Sequence, residues 1–181
     1  SNSRGCADSL YETFGRYQAS KFAPVAPYHI YQQFEVNDYK PANILLLAHD
    51  VVQHAQEYKD TFVSSFWNDT NIIMDNSLVE MKNAVDIGMV FEAGEIVAAD
   101  VVVLPDVMGD GVASAQSTIK AWDEWNYKFR DYQKMVVLHG KSTQDFFAGG
   151  EMLVEAGLDP DWISIPRKIQ GVDNIDRWHW I

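Results

Sequence analysis

Two stretches of the sequence decide the fold class: residues 100–108 read DVVVLPDVM, and residues 135–140 read MVVLHG. Each is an almost unbroken run of β-branched and aliphatic residues that closes on polar side chains, Asp106 in the first and His139 in the second. A run that does not alternate between apolar and polar residues is typical of a strand buried on both faces of a sheet. Both stretches therefore predict internal strands of a parallel sheet.

Three further runs have the same character: Asn43–Asp50 (NILLLAHD), Asn71–Ser77 (NIIMDNS) and Trp162–Pro166 (WISIP). Segments with helical character follow the first four runs, over Val52–Phe66, Leu78–Ala93, Ala113–Arg130 and Thr143–Ala156, and Gly157 stands where a C-terminal cap belongs. Strand and helix alternate at a spacing of about 30 residues, which predicts right-handed βαβ units.

The predicted fold class is α/β, a parallel sheet of βαβ units, and two architectures stay open. Five strands in 181 residues fit an open doubly wound sheet, because a (β/α)8 barrel takes about 250 residues. Polar residues at the strand ends favour the TIM-barrel type, complete, partial or reduced, since a barrel gathers such groups at one pocket. We expect an irregular aromatic-rich arm over residues 1–42, with a short helix at Asp8–Ser20, and a βα-repeat domain over residues 43–181.

Composition excludes several classes of protein. Hydrophobic residues make up 47% of the chain and aromatic residues 13%, which excludes a disordered tail. With 14 Lys+Arg against 26 Asp+Glu, the net charge of −12 does not attract nucleic acid at long range. The one cysteine, Cys6, allows neither an internal disulfide nor a Cys-x-x-Cys zinc site, so we expect a cytoplasmic location. No run approaches the roughly 18 apolar residues of a membrane span, so we expect no membrane partner.

Polar side chains close four of the five apolar runs at their carboxyl ends, the face where parallel α/β folds gather their sites. An aspartate at such a position is also a common N-cap of the following helix, and that alternative is open for each of them. The strand-end residues are His49-Asp50, Asp75-Asn76, Asp106, His139-Gly140 and, after the fifth run, Arg167.

Phosphate-binding loops and activated nucleophiles are not indicated. Gly109-Asp110-Gly111 lacks the lysine of a P-loop and the third glycine of a dinucleotide fingerprint, so we interpret it as a turn. No Gly-x-Ser-x-Gly elbow is present, and neither Ser77 nor Ser164 has a base that the sequence identifies.

A pair of carboxylates indicates a functional site more strongly than these motifs do. Asp75 and Asp106 end consecutive strands, so we expect them to stand over one cavity, where they can bind the amide-like edge of a purine, abstract a proton or attack an anomeric carbon. Asn76 adds a hydrogen-bond donor, and Glu80 either holds substrate or is a solvated helix residue.

A divalent metal is an alternative use of the same strand ends. The side chains of His49, Asp50, Asp75, Asp106 and His139 are all capable of ligating a metal, as in barrel hydrolases.

The motifs resemble those of the tRNA-guanine transglycosylase superfamily, most of all its phage and bacterial DNA-modifying branch. Residues 73–77 (IMDNS) look like its first aspartate motif, Leu104-Pro105-Asp106 resembles its second, and His139-Gly140 stands in the place of its Gln-Gly pair. The helix at 151–158 and the strand at 163–167 are similar to those that follow in the family.

The resemblance implies a (β/α)8 barrel that exchanges guanine for a 7-deazaguanine base in nucleic acid, DNA favoured over tRNA, without a cofactor. It implies that Asp75 is a general base or a base-recognition group and that Asp106 binds the edge of the incoming base. His139 and Gly140 would line the same pocket, and the target nucleotide would leave its stack to enter it. The remaining implied substrate-binding residues are Asn76, Glu80 and Arg167.

Two other functions stay open: a metal-dependent barrel hydrolase, and a non-catalytic phage assembly protein. In the second, the aromatic arm at residues 10–34 would dock on a partner or on another copy of the chain.

Overall fold

The structure, a computed structural model, describes residues 23–166 apart from the side chain of Phe129. Its strands form a five-stranded parallel sheet in the order β1-β2-β3-β4-β5, which confirms the α/β class built from βα units. This order has no reversal, so the described sheet lacks the switch point of a doubly wound fold. The strands are β1 (Asn43–Leu47), β2 (Asn71–Asp75), β3 (Val101–Val103), β4 (Gln133–Val137) and β5 (Trp162–Ser164).

Helices precede β1 and connect each strand to the next. They are α1 (Tyr28–Val36), α2 (Ala48–Gln53), α3 (Ala55–Phe62), α4 (Leu78–Met81), α5 (Ile87–Val97), α6 (Gly111–Trp125) and α7 (Thr143–Glu155), with short 3-10 turns at Ser65–Trp67 and Phe129–Asp131. The expected helix at Asp8–Ser20 lies outside the described residues. Within residues 23–166, every helix is too short or too polar to span a lipid bilayer.

Two of the predicted helices are each divided in two. The backbone of His54 leaves the helical region at φ −120° and ψ 42°, which separates α2 from α3. Lys82 takes a left-handed conformation at φ 64° and ends α4 after four residues. The next helix, α5, begins at Ile87, and its N-cap is Asp86, whose carboxylate accepts a hydrogen bond from the Gly88 N–H.

The predicted strands are too long at their carboxyl ends. Helix α2 begins at Ala48, so His49 and Asp50 belong to a helix and do not end a strand. The third strand stops at Val103, shortly before Pro105, which has no N–H to donate to a sheet. Asp106 and His139 consequently lie in loops just beyond β3 and β4.

The described residues divide into two compact units, each with its own core. The first unit comprises residues 23–103 and 131–133, and the second comprises residues 104–130 and 134–166. In the first, β1 and β2 pair in parallel with Leu47 opposite Asp75. Its core includes Tyr31, Ile44, Leu46, Met74 and Val101, while that of the second includes Leu104, Ala115, Val136, Phe146 and Leu153.

The part of the aromatic arm that the structure describes is ordered, so the prediction of an irregular segment is wrong for residues 28–36. Tyr31 on α1 is fully buried, and its ring lies edge-on to Phe62 and Trp67. Its hydroxyl donates to the Pro24 carbonyl at 2.9 Å. These rings pack within the first unit, because burying aromatic surface stabilises the fold.

Left-handed residues end two helices and give a paired test of backbone strain. Ala98 caps α5 at φ 53°, whereas Gly157, as predicted, follows α7 at φ 72°. A side chain in this region costs about 1–2 kcal/mol that glycine avoids. We expect Ala98→Gly to raise the free energy of unfolding by about 1 kcal/mol and Gly157→Ala to lower it by a similar amount, both measured by urea titration. Shifts of the same sign in the two variants would contradict this interpretation.

Candidate functional site

The loops that follow β3 and β4, both in the second unit, bring together two of the predicted site residues. Asp106 is 6% exposed and His139 is 7% exposed, so both side chains are buried beyond the carboxyl ends of their strands. The Leu104 N–H donates to the Met135 carbonyl at 2.9 Å, and the Leu138 N–H donates to the Ser164 carbonyl at 3.0 Å. These backbone bonds fix where each loop leaves the sheet.

A hydrogen-bonded chain connects the two loops through His139. The Gly109 N–H donates to His139 Nδ1 at 3.3 Å, and His139 Nε2 lies 2.5 Å from Asp106 Oδ2. Because Nδ1 accepts a hydrogen bond, it carries no proton, so Nε2 carries the proton and donates it to the carboxylate. The arrangement therefore selects one tautomer of His139 and orients Asp106.

The turn at residues 107–110 places the Gly109 N–H. Gly109 has φ 72°, a left-handed conformation that glycine adopts without strain, and the Asp110 N–H closes the turn on the Val107 carbonyl at 3.3 Å. The interpretation of this segment as a turn is confirmed. Asp110 caps α6 by accepting a hydrogen bond from the Ala113 N–H at 2.9 Å. The N-cap of α6 is therefore Asp110, and the N-cap alternative is wrong for Asp106.

Asp145, in the first turn of α7, ties the beginnings of α6 and α7 together. Its carboxylate accepts hydrogen bonds from the N–H groups of Gly111 at 2.7 Å, Lys141 at 2.9 Å and Val112 at 3.4 Å. Burial raises the pKa of Asp145, but the three N–H donors and the charge of Lys141 outweigh burial and hold the pKa below its ordinary value. Asp145 is ionised at neutral pH and stabilises the loop that carries His139.

Glycine is required where these backbones approach each other. A Cβ on Gly111 would lie 2.3 Å from the Asp145 carbonyl oxygen and 2.8 Å from the His139 carbonyl oxygen. A Cβ on Gly140 would lie 2.7 Å from the Cβ of Phe146. Only a residue without a side chain lets α6 and α7 begin this close to the Asp106–His139 pair.

At the surface, Lys141 and Asp110 join the same two loops by an ion pair. The Lys141 Nζ lies 2.8 Å from Asp110 Oδ2. The hydrogen bond from Lys141 is the main cause of a lowered pKa at Asp110, and the same bond raises the pKa of Lys141. Both groups are exposed to solvent, so the pair guides loop geometry more than it stabilises the fold.

In the first unit, Asp75 and its neighbours shape the turn between β2 and α4. The Ser77 N–H donates to Asp75 Oδ2 at 2.9 Å, and the Leu78 N–H donates to Asn76 Oδ1 at 3.1 Å. Ser77 is fully buried and left-handed at φ 60°. Its Oγ accepts a hydrogen bond from the His49 N–H at 3.3 Å. Asp75 is therefore oriented by the turn that it closes.

Members of the alternative metal set have other partners. Among residues 23–166, no three His, Cys, Asp or Glu side chains are placed to hold one metal ion. Asp50 instead accepts a hydrogen bond from the Tyr58 hydroxyl, and its other oxygen lies 3.8 Å from His54 Nε2. Burial and then the Asp50 carboxylate raise the pKa of Tyr58, which keeps that hydroxyl protonated as the donor. His139 is turned toward Asp106.

The other predicted site residues fall in different places. Glu80 is exposed on α4, and Arg167 lies outside the described residues. Asp75 belongs to the first unit and Asp106 to the second, so their common cavity stays a prediction. Asp145 is not among the residues predicted from the sequence, although the spacing Ser142-x-x-Asp145 before an apolar helix is a capping-box signal that indicates a helix start.

Comparison of the chain with protein-family models and with curated proteins gives no match to either.

The contribution of Asp145 to stability gives a pH-dependent prediction. Because its pKa in the folded protein is lowered, its stabilising effect is complete above the ordinary value of 3.8 and is lost as the pH falls below that value. We expect Asp145→Asn to lower the free energy of unfolding by about 2 kcal/mol at neutral pH. The amide N–H2 of asparagine would replace one acceptor oxygen and would face a backbone N–H donor. The difference from wild type should shrink between about pH 4 and pH 3.

Urea titrations across that pH range measure the effect, with Asp123→Asn, on the exposed side of α6, as the matched control. A deficit for Asp145→Asn that is the same at pH 7 and at pH 3 would contradict the account.

Proposed function

We propose that the chain is a relative of the base-exchange transglycosylases that binds a guanine or 7-deazaguanine base at the Asp106–His139 pair. One observation carries the proposal. The 2.5 Å contact between His139 Nε2 and Asp106 Oδ2 joins two residues that resemble consecutive base-binding positions of the family. In this proposal the βα units belong to a (β/α)8-type barrel, complete, partial or reduced. The strand order without a reversal supports that topology.

The hydrogen-bonding pattern of guanine suits an oriented carboxylate. The edge of the base carries adjacent N–H donors, and an ionised carboxylate is an acceptor with two oxygens. Asp106 is 6% exposed, so water competes little for its hydrogen bonds, and each bond is stronger at low local dielectric. His139 holds the carboxylate in one orientation before the base arrives, which reduces the ordering cost of binding.

His139 takes the place of the family's glutamine in this proposal. A glutamine side chain presents an amide N–H donor, and His139 presents the Nε2–H that the Gly109 N–H selects by occupying Nδ1. Gly140 follows it, and the close contact with Phe146 keeps the loop against α7. His139 donates this Nε2–H to Asp106, so the pair offers the base an oriented carboxylate acceptor.

The proposed substrate is a nucleotide in nucleic acid, with DNA favoured over tRNA. The incoming group is a free 7-deazaguanine base. The nucleotide would have to leave its stack to reach a buried carboxylate. A net charge of −12 argues for recognition by local contacts and against long-range attraction of the phosphate backbone. Asp75, with Asn76 beside it, is the proposed general base or second base-recognition group.

The two rival functions receive less support from the described residues. The hydrolase needs a cluster of ligands that residues 23–166 do not provide. The assembly protein needs an arm available to a partner, whereas Tyr31 of that arm is part of the core of the first unit.

The proposal predicts a ligand response that depends on the charge of Asp106. A 7-deazaguanine base should raise the melting temperature of the wild-type protein, as any ligand of the native state does. Asp106→Asn keeps an acceptor oxygen for His139 but replaces the second carboxylate oxygen by an amide N–H2. Donors of the bound base would then be buried without an acceptor, at a cost of about 1–3 kcal/mol each. We expect at least a tenfold loss of affinity, measured by calorimetry, with little change in the melting temperature without ligand.

Variants of His139 provide the matched control. His139→Gln, which restores the family's residue, should keep most of the ligand response, whereas His139→Leu should lose it. If the pair only joined two loops, Asp106→Asn and His139→Leu would both lower the melting temperature without ligand and leave any ligand response unchanged. Equal responses in wild type and Asp106→Asn, or no response in wild type, would count against the proposed function.

A further inference from the structure

We infer that Thr118, on α6, is a positioning residue for the proposed base site: its hydroxyl holds the peptide group that precedes Asp106 and so directs the Asp106 carboxylate toward His139. The inference rests on the proposed function for the class of ligand, a guanine or 7-deazaguanine base. Thr118 lies in the second unit, as do Asp106 and His139. It is not among the residues that the resemblance to the transglycosylases involves.

The contact is a hydrogen bond between the middle of α6 and the loop that follows β3. The Thr118 hydroxyl donates to the Pro105 carbonyl at 2.9 Å, and Thr118 is buried, with 1% of the residue exposed. A threonine inside a helix can donate to the carbonyl three or four residues earlier in the same helix. Thr118 instead donates to a carbonyl 13 residues earlier, outside the helix. The bond is therefore a tertiary contact that joins the helix to the loop.

Threonine is a costly choice at this position unless its hydroxyl has a use. The other buried residues of α6 are small: Gly111, Ser114, Ala115 and Ala121. Alanine has the higher helix propensity, and burial of a hydroxyl costs free energy that its hydrogen bond offsets. A polar side chain at position 118 is therefore explained by the loop that it holds and not by the helix that carries it.

The nature of Pro105 makes this bond decisive for the direction of Asp106. The pyrrolidine ring fixes φ of Pro105, so ψ is its one free backbone dihedral. The orientation of the Pro105 carbonyl depends on ψ, and the same peptide group carries the nitrogen of Asp106. The Thr118 hydroxyl holds that carbonyl. Ring and hydroxyl together fix the backbone of the residue before Asp106, and with it the direction in which the carboxylate leaves the loop.

The loop after β3 is in this way held to the helices at both ends. At its far end, the Gly111 N–H donates to the Asp145 carboxylate at 2.7 Å. Thr118 stands seven residues after Gly111, about 10 Å further along α6. Between these two points lie the two groups of the loop that bond to His139. A carboxylate that has to meet one ring nitrogen needs both ends of its loop fixed, and Thr118 fixes the end next to Asp106.

The test compares variants of Thr118 that differ in the hydroxyl. Thr118→Val keeps the branched shape and loses the donor, whereas Thr118→Ser keeps the donor and loses the methyl group. We expect Thr118→Val to bind 7-deazaguanine about tenfold more weakly by calorimetry, and Thr118→Ser to keep most of the wild-type affinity. The spectrum of the His139 imidazole nitrogens without ligand should change in Thr118→Val and stay as in wild type in Thr118→Ser.

Thr70 offers a matched control in the first unit. Its hydroxyl, also buried, donates to the Pro41 carbonyl at 3.0 Å, just before the amino end of β2. Thr70→Val therefore loses the same kind of hydrogen bond, and we expect a similar drop in melting temperature. Because Thr70 holds no residue of the proposed site, its substitution should leave both the affinity for the base and the His139 spectrum unchanged.

Three results would each overturn the inference: a wild-type His139 spectrum or wild-type affinity in Thr118→Val, equal changes in Thr118→Val and Thr118→Ser, or the same changes in Thr70→Val. Thr118→Ala also lacks the hydroxyl and has the higher helix propensity, so it gives the same comparison if the valine variant does not fold. If the base does not bind to the wild type, the proposed function fails. The His139 spectrum, recorded without ligand, then still decides for or against Thr118.

Discussion

The hydrogen-bonded chain from the Gly109 N–H through His139 to Asp106 is the constraint on which the geometry of the second unit depends. It joins a turn after β3 to a loop after β4, and it does so through side chains that are almost fully buried. A buried carboxylate is costly unless it is hydrogen-bonded, so Asp106 is stable in this position because His139 donates to it. The turn glycine in turn sets which nitrogen of His139 can donate.

The surrounding residues maintain this chain from outside. The Asp145 carboxylate accepts hydrogen bonds from the N–H of Gly111, at the start of α6, and from the N–H of Lys141. Separating the two loops would therefore break hydrogen bonds to a buried charged group. Gly111 and Gly140 let the backbones approach where a Cβ would collide with its neighbours. The result is one fixed orientation of the Asp106 carboxylate, which the proposed recognition of a planar base requires.

Much of the fold could be predicted from the sequence, because five apolar runs that do not alternate with polar residues have few alternatives to parallel strands. The ends of the elements could not, since no local signal marks His54 or Lys82 as the end of a helix. Asp106 and His139 were identified by their position after a strand, but their contact was not. The contact between Asp106 and His139 depends on the φ of Gly109. The hydrogen bond from the Gly111 N–H to Asp145 joins residues 34 apart in the sequence, a separation that no local pattern predicts.

Whether the Gly109–His139–Asp106 chain forms can be measured from the position of the proton on His139 in the protein without ligand. A long-range proton–nitrogen correlation spectrum at neutral pH distinguishes the two ring nitrogens. We expect one set of signals, with the proton on Nε2 and an unprotonated Nδ1 that accepts the hydrogen bond from the Gly109 N–H. A proton on Nδ1, or two averaged nitrogens typical of an imidazole exposed to water, would show that the Gly109–His139–Asp106 chain does not form.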